Sequence, residues 1–294
     1  MDYVLLILVT VFCSTRAIIM KKMGHDSSNM SGVLFLNSNI FFIGSLTVIL
    51  LSAGDLGALF CVSGASVLFA LVFAVFLLVM QVTLMLALGM GAASLSTLIY
   101  SCGFVIPIFY SAIFLSEEIS LWQWLGLLLL SVALIFIIPP KKGEKLSVKW
   151  LVFAVCSMVG SGSLAIVQKI HQNSPYKPEL QGFIFYGLLF ASVLLLLASL
   201  VTKKGERREL LKLYSSKKTT VLLVAVGIIV GALNVINTSL TGKLPSIIHF
   251  PVYNGCSLIL TALAGRFLFG ERIGKLKLSG FILGLIAIII IGLL

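Results

Sequence analysis

Glu117-Glu118-Ile119-Ser120, followed by Gly126 and Ala133, recurs 154 positions later as Glu271-Arg272-Ile273-Gly274, followed by Gly280 and Ala287. Both copies stand just before a long aliphatic run, and between them lies one strong interruption, Pro139-Pro140-Lys141-Lys142-Gly143, close to the middle of the chain. A self-match at fixed spacing across a Pro/Lys break is the mark of an internal duplication. A second, shorter match has an offset of 148: Thr15, Ala17, Ile18 and Lys21 face Ser163, Ala165, Ile166 and Lys169. Residues 1–140 and 141–294 are therefore expected to be two repeats.

Working outward, apolar runs of near-spanning length fill both repeats. They cover 3–20, 31–51, 66–89, 92–115 and 121–138 before the break, and 150–170, 182–201, 220–240, 245–269 and 276–294 after it. A bilayer core of about 30 Å takes roughly 20 apolar residues of helix, and a helix satisfies its own backbone amides where no water can. With 60% hydrophobic and 11% charged positions among 294, the composition belongs to a polytopic helical membrane protein and leaves no room for a soluble domain. The fold class expected is all-α, with ten transmembrane helices in two inverted five-helix repeats. Inversion follows from arithmetic: an odd number of spans per repeat makes the second copy enter from the opposite side. The N-terminus lacks the basic region of a secretory signal and reads as the first span.

Charge sets the orientation. Alternating the connections between sides collects 17 Lys and Arg on one side and Lys169, Lys177 and Lys243 on the other. The positive-inside rule makes the basic side cytoplasmic, which puts both termini outside a multi-pass protein of the cell membrane. The net charge of +11 is explained by this sidedness, and basic residues scattered over short loops speak against nucleic acid as a partner. The five cysteines fall singly in or beside apolar stretches, as small packing residues do. No metal, cofactor or catalytic set is expected, since His25, His171 and His249 have no buried acid or nucleophile to act with.

All ten acidic residues map to loops or helix ends. A mid-membrane carboxylate is the usual device for proton-coupled export of organic cations, so a multidrug exporter is the weaker alternative and a neutral, zwitterionic or anionic solute the stronger. Arg16 is the basic residue well inside a span. It either snorkels toward the Lys21-Lys22 end or holds a carboxylate or phosphate. Uncharged polar groups complete the candidate substrate site: Asn37 in the second span, Gln81 in the third, Tyr100 in the fourth, Asn234 and Asn237 three apart in the eighth, and His249, Tyr253 and Asn254 in the ninth. Each has interhelical hydrogen bonding as its plainer role. Pro107 and Pro251 are candidate kinks, and Gly227 with Gly231, and Gly280 with Gly284, have the spacing of close helix contacts. Glu117 and Glu271 stand at helix junctions, suited to the positive end of the fifth and tenth helices or to a gate contact between halves.

Ala92-Ala93-Ser94-Leu95-Ser96-Thr97, Phe114-Leu115-Ser116-Glu117 and Leu125-Gly126-Leu127 resemble the EamA-like branch of the drug/metabolite transporter superfamily. The second half repeats the pattern as Leu244-Pro245, Phe250-Pro251, Phe267-Leu268-Phe269-Gly270-Glu271-Arg272 and Ser279-Gly280. The resemblance implies a carrier that moves metabolites, amino acids or drugs by alternating access, with a central cavity lined by both halves. Its partners would be the lipid bilayer and a small-molecule substrate, with protons as a candidate coupling ion, and it would act as a monomer or homodimer. A lipid flippase, or an accessory subunit of one, has the same helix pattern and stays open as an alternative.

Overall fold

A helix is the one way for a single apolar segment to close its backbone hydrogen bonds in hydrocarbon, and the long apolar runs all take it. The computed structural model describes residues 1–23, 30–52, 54–90, 93–137, 147–201, 217–269 and 274–293. The first half contains α1 (Asp2–Lys22), α2 (Met30–Leu51), the short α3 (Leu56–Phe60), α4 (Gly64–Gly89), α5 (Ala93–Ser101), α6 (Val105–Phe114) and α7 (Leu121–Ile137). The second contains α8 (Val148–Gln172), α9 (Leu180–Val201), α10 (Lys217–Thr241), α11 (Ser246–Phe269) and α12 (Lys275–Leu293). Among the described residues nine stretches are long and apolar enough to cross a membrane, with α5 and α6 counted as one interrupted span. The tenth, α7, has 17 residues, about 26 Å at 1.5 Å per residue, and it lies against α12.

Helix starts are set by local chemistry. Ser63 accepts a hydrogen bond from the Ser66 amide to cap α4, and Ser147 does the same for Trp150 at the start of α8. At α7 the Gln123 amide donates to Ser120 Oγ at 3.2 Å while the Ser120 amide donates to Gln123 Oε1 at 3.1 Å, a reciprocal capping box. The fourth span breaks: Cys102–Phe104 forms a 3₁₀ turn between α5 and α6. Pro107 lacks the N–H that would bond the Gly103 carbonyl, and its ring crowds that turn, so the chain tightens there. Pro251 lies inside a helix that continues unbroken on both sides.

The main helix contacts map onto themselves when each helix is exchanged for its counterpart. The α1–α10 contact becomes α4–α8, α1–α11 becomes α8 against α5 and α6, and α2–α10 becomes α4–α9, while α2–α9 and α7–α12 pair counterparts directly. Counterparts also run in opposite directions. Asp2, at the start of α1, lies 3.7 Å from Lys243, whereas Lys169, at the end of α8, donates to the carbonyl of the next residue, Leu244. The beginning of α1 and the end of α8 thus meet at one face of the protein, the inversion expected of an odd repeat.

Two apolar clusters hold the bundle together, and each draws on both halves. The larger joins α2, α4, α9 and α10 around Ile40, Phe73, Phe183, Leu188 and Val230. The other joins α6, α7, α11 and α12 around Ile108, Leu130, Leu134, Ile247 and Ala287. Outward-facing Leu68, Ile113, Leu128 and Ile282 are more than half exposed, as side chains in contact with lipid tails would be. Close approach is bought by glycine where α2 crosses α10: a Cβ on Gly231 would sit 2.5 Å from the Gly44 carbonyl oxygen, and one on Gly227 at 2.5 Å from Ile43 Cγ2.

Candidate functional site

Between the two apolar clusters lies a cavity of about 350 Å³. Its wall combines residues of α1, α2, α4 and α5 with residues of α8, α10 and α11, so both repeats contribute. Phe41 and Phe73 come from the larger cluster, Phe104 and Phe250 from the smaller. Six of the nine residues named as substrate contacts line it: Arg16, Tyr100, Asn234, Asn237, Tyr253 and Asn254. Periodicity explains the grouping, since Asn234 and Asn237 are one turn apart on α10 and Tyr253 follows Phe250 by three on α11.

The other three are elsewhere. Asn37 is buried among the apolar side chains of α2 and spends its amide on the Val33 carbonyl at 2.8 Å, so it satisfies itself within its own helix. Gln81 is half-buried on α4 and does not line the cavity. His249 is fully buried behind the wall, stacked on Phe250 with ring centroids 4.8 Å apart, and its Nε2 lies 3.0 Å from Asn237 Oδ1. It therefore reaches the cavity through Asn237. The four-residue spacing of His249 and Tyr253 does bring their rings within 6.4 Å, but the α11 face they share is broad enough for one to line the wall and the other to back it.

Gln168 and Ser161 of α8 line the cavity too and were not singled out from the sequence. The Gln168 amide donates to Thr238 Oγ1 at 2.7 Å, joining α8 to α10. A glutamine within an apolar run was the available signal.

The charged groups of the lining are unusual. Arg16 is half-buried there, and among the described residues no side chain forms an ion pair or hydrogen bond with it. No carboxylate lines the cavity among the described residues.

Of the two roles open to Glu117, a cap on the next helix or a contact between halves, its geometry fits the second. The capping box of Ser120 and Gln123 already serves the start of α7, and Glu117 crosses to the other repeat. Its Oε1 lies 2.6 Å from Lys169 Nζ, and its Oε2 accepts from the Ser246 amide at 2.7 Å, at the positive end of α11. Lys169, read from the sequence as a loop cation, is 4% exposed and also donates to the Leu244 carbonyl at 3.2 Å. Ser111 and Ser246 hydroxyls meet at 2.7 Å beside them. A turn aims the carboxylate: Ser116 adopts φ 52°, and the Glu117 amide bonds back to the Ser111 carbonyl, closing α6. At the same end Glu179 Oε2 accepts from the Ser63 amide and hydroxyl at 2.9 and 2.7 Å, another carboxylate on the start of a helix from the other half. Glu271 lies outside the described residues.

A second cleft of about 380 Å³ runs between α4 and α8, lined by Leu68, Phe69, Val72, Phe76 and Ile166 among others. Among the described residues Ser163 is its one hydroxyl, and no charged group lines it. It suits a lipid tail and offers nothing to a headgroup.

A solved crystal structure 13% identical in sequence matches 99% of this chain, and 96% of its own, with a TM-score of 0.78; it is one of 28 solved chains that match. At that identity the likeness speaks for the fold. No curated protein matches the chain. Residues 148–293, which run from the first residue of α8 to the last of α12, match the EamA-like transporter family. With that match on one repeat and its inverted counterpart packed against it, the chain is a multi-pass membrane protein of the EamA-like transporter family, within the drug/metabolite transporter superfamily.

Proposed function

We propose that the protein is a secondary-type carrier that moves a small, neutral, zwitterionic or anionic metabolite across the cell membrane by alternating access. The observation that carries this reading is the cavity of about 350 Å³, lined by polar and aromatic side chains and walled by both repeats. A site at the interface of inverted repeats is where a rocking motion can expose a solute to each side in turn. Residues 1–140 and 141–294 are the repeats, but the bodies that move are the two mixed clusters, α2–α4–α9–α10 and α6–α7–α11–α12, with α1 and α8 between them. Glu117, Lys169 and Ser246 act as a latch between halves at one end. With the basic loops cytoplasmic, that latch closes the outer side, in the same half of the membrane as both termini. Protons are the candidate coupling ion, and the carrier works as a monomer or homodimer.

Counterflow in proteoliposomes under defined pH and voltage tests the reading. Saturable, protein-dependent exchange of some member of a panel of amino acids, sugars, organic acids and amines is expected, and Asn234→Ala should impair it while leaving the fold intact. Absence of flux and counterflow over the whole panel would remove the carrier assignment.

A further inference from the structure

From the unpaired guanidinium in the cavity we infer that the site takes a small organic monocarboxylate with an apolar body, its carboxylate held by Arg16. Arginine stays charged at any working pH, so the charge cannot be shed when the cavity closes. A charged side chain within a membrane span, on a cavity wall and without a protein partner, marks a functional site by default. Arg16 has no acid to answer it: among the described residues none lines the cavity, and Glu117, the nearest to a buried role, is committed to Lys169 and Ser246. The missing counter-charge is then the solute's. A carboxylate matches the planar fork of a guanidinium through two parallel hydrogen bonds.

The rest of the wall narrows the class. With one cation and no acid in the lining among the described residues, a monoanion balances the site, a dianion leaves one charge over, and an ammonium group finds no carboxylate. Phe41, Phe73, Phe104 and Phe250 offer apolar surface to a hydrocarbon or aromatic body. Asn234 and Asn254 each spend one amide hydrogen on their own helix, to the carbonyls of Val230 and Phe250, which fixes their orientation and leaves the remaining polar atoms free for the solute. At about 350 Å³ the cavity stands at the small end of ligand pockets, which excludes long acyl chains.

This inference rests on the carrier reading for its biology, but its test is separable. Binding of phenylacetate and hexanoate to the purified full-length protein is compared by calorimetry with binding of phenylacetamide, hexanamide and hexylamine. Acids should bind at least about tenfold tighter than their amides, hexylamine should not bind, and Arg16→Gln should erase the preference while Arg16→Lys keeps part of it. Amides equal to acids in the wild type, or no acid binding at millimolar concentration, overturns the inference whether or not the Arg16 variants fold. Acid binding without counterflow in proteoliposomes would uphold the site and remove the carrier. Counterflow of neutral or cationic solutes, with no preference for acids, would do the reverse.

Discussion

Arg16 and Lys169 are both cations drawn into the helix bundle, and the protein treats them oppositely. Lys169 is sealed at 4% exposure with a carboxylate at 2.6 Å and a carbonyl at 3.2 Å, all from parts of the chain far apart in sequence. Arg16 is half-buried on the wall of a cavity with no acid beside it among the described residues. In the proposed carrier a satisfied charge is part of the structure that holds one end shut, and an unsatisfied one is a place for something that arrives and leaves. The same side-chain chemistry thus separates a closing contact from a binding contact, and the difference is in the partner rather than in the depth.

The largest expected effects fall on the paired charge. Lys169→Met leaves the Glu117 carboxylate without its cation, and breaking one side of such a pair costs about 3–5 kcal/mol. Thermal unfolding of the purified protein should show a large drop for Lys169→Met and for Glu117→Ala, and a much smaller one for the Glu117→Gln, Lys169→Met pair, where no lone charge remains. Equal losses in single and double variants would mean that the contact is not a coupled pair. Arg16→Gln should go the other way: removing a charge that has no partner leaves thermal stability unchanged or raised. If Arg16→Gln is as destabilised as Lys169→Met, the contrast between the two cations fails.

Next in size is the α2–α10 crossing, on which the shape of the larger cluster depends. Gly231→Ala puts a methyl group 2.5 Å from the Gly44 carbonyl oxygen, which is backbone and cannot rotate away. The overpacking should cost about 1–3 kcal/mol in the same unfolding measurement. Gly292→Ala, where a Cβ meets nothing within 4 Å, is the matched control and should be neutral.

Ser116 is a smaller case of the same kind. Its φ of 52° closes α6 and points Glu117 across the interface. Ser116→Gly should hold or raise stability and Ser116→Val lower it, by about 1–2 kcal/mol for the branched side chain in that region. Equal melting of the two variants would mean that the turn is not a constraint.

These contrasts show where the sequence is legible. Span positions follow from hydropathy and self-matching because a bilayer permits one local solution, and the observed helices begin and end within a few residues of the apolar runs. The 17-residue α7 was readable for the same reason. Asn234, Asn237, Tyr253 and Asn254 were found as a group because a helix places residues three and four apart together. What periodicity does not give is which helix a face meets. Asn37 looked like the other asparagines, yet it stands one turn away from the cavity-lining Phe41 on the same face of α2, within the larger apolar cluster, and bonds to its own helix. Glu117 read either as a cap for the helix after it or as a contact between halves; Ser120 and Gln123, six positions along at most, cap that helix, and Glu117 reaches the other half. Lys169, one residue from the cavity-lining Gln168, faces away from the solute site toward Glu117 because neighbours on a helix point about 100° apart.

The finest contrast is between lining the cavity and backing it. Asn237 lines the wall, whereas His249 behind it holds Asn237 Oδ1 at 3.0 Å and has its Nδ1 without a hydrogen-bond partner among the described residues. Nε2 is then the ring donor, and its loss removes one hydrogen bond worth about 1 kcal/mol while leaving the wall's composition unchanged. His249→Gln, whose amide can still donate, should keep most transport. His249→Phe, which fills the space but cannot donate, should raise the KM for counterflow several-fold with little change in maximal rate, because it lets Asn237 turn without altering the reach of Arg16. Asn237→Ala should match His249→Phe, and the double variant should be no worse than either. If the two losses simply multiply, His249 acts on its own, and the distinction between the wall and its backing has to be redrawn.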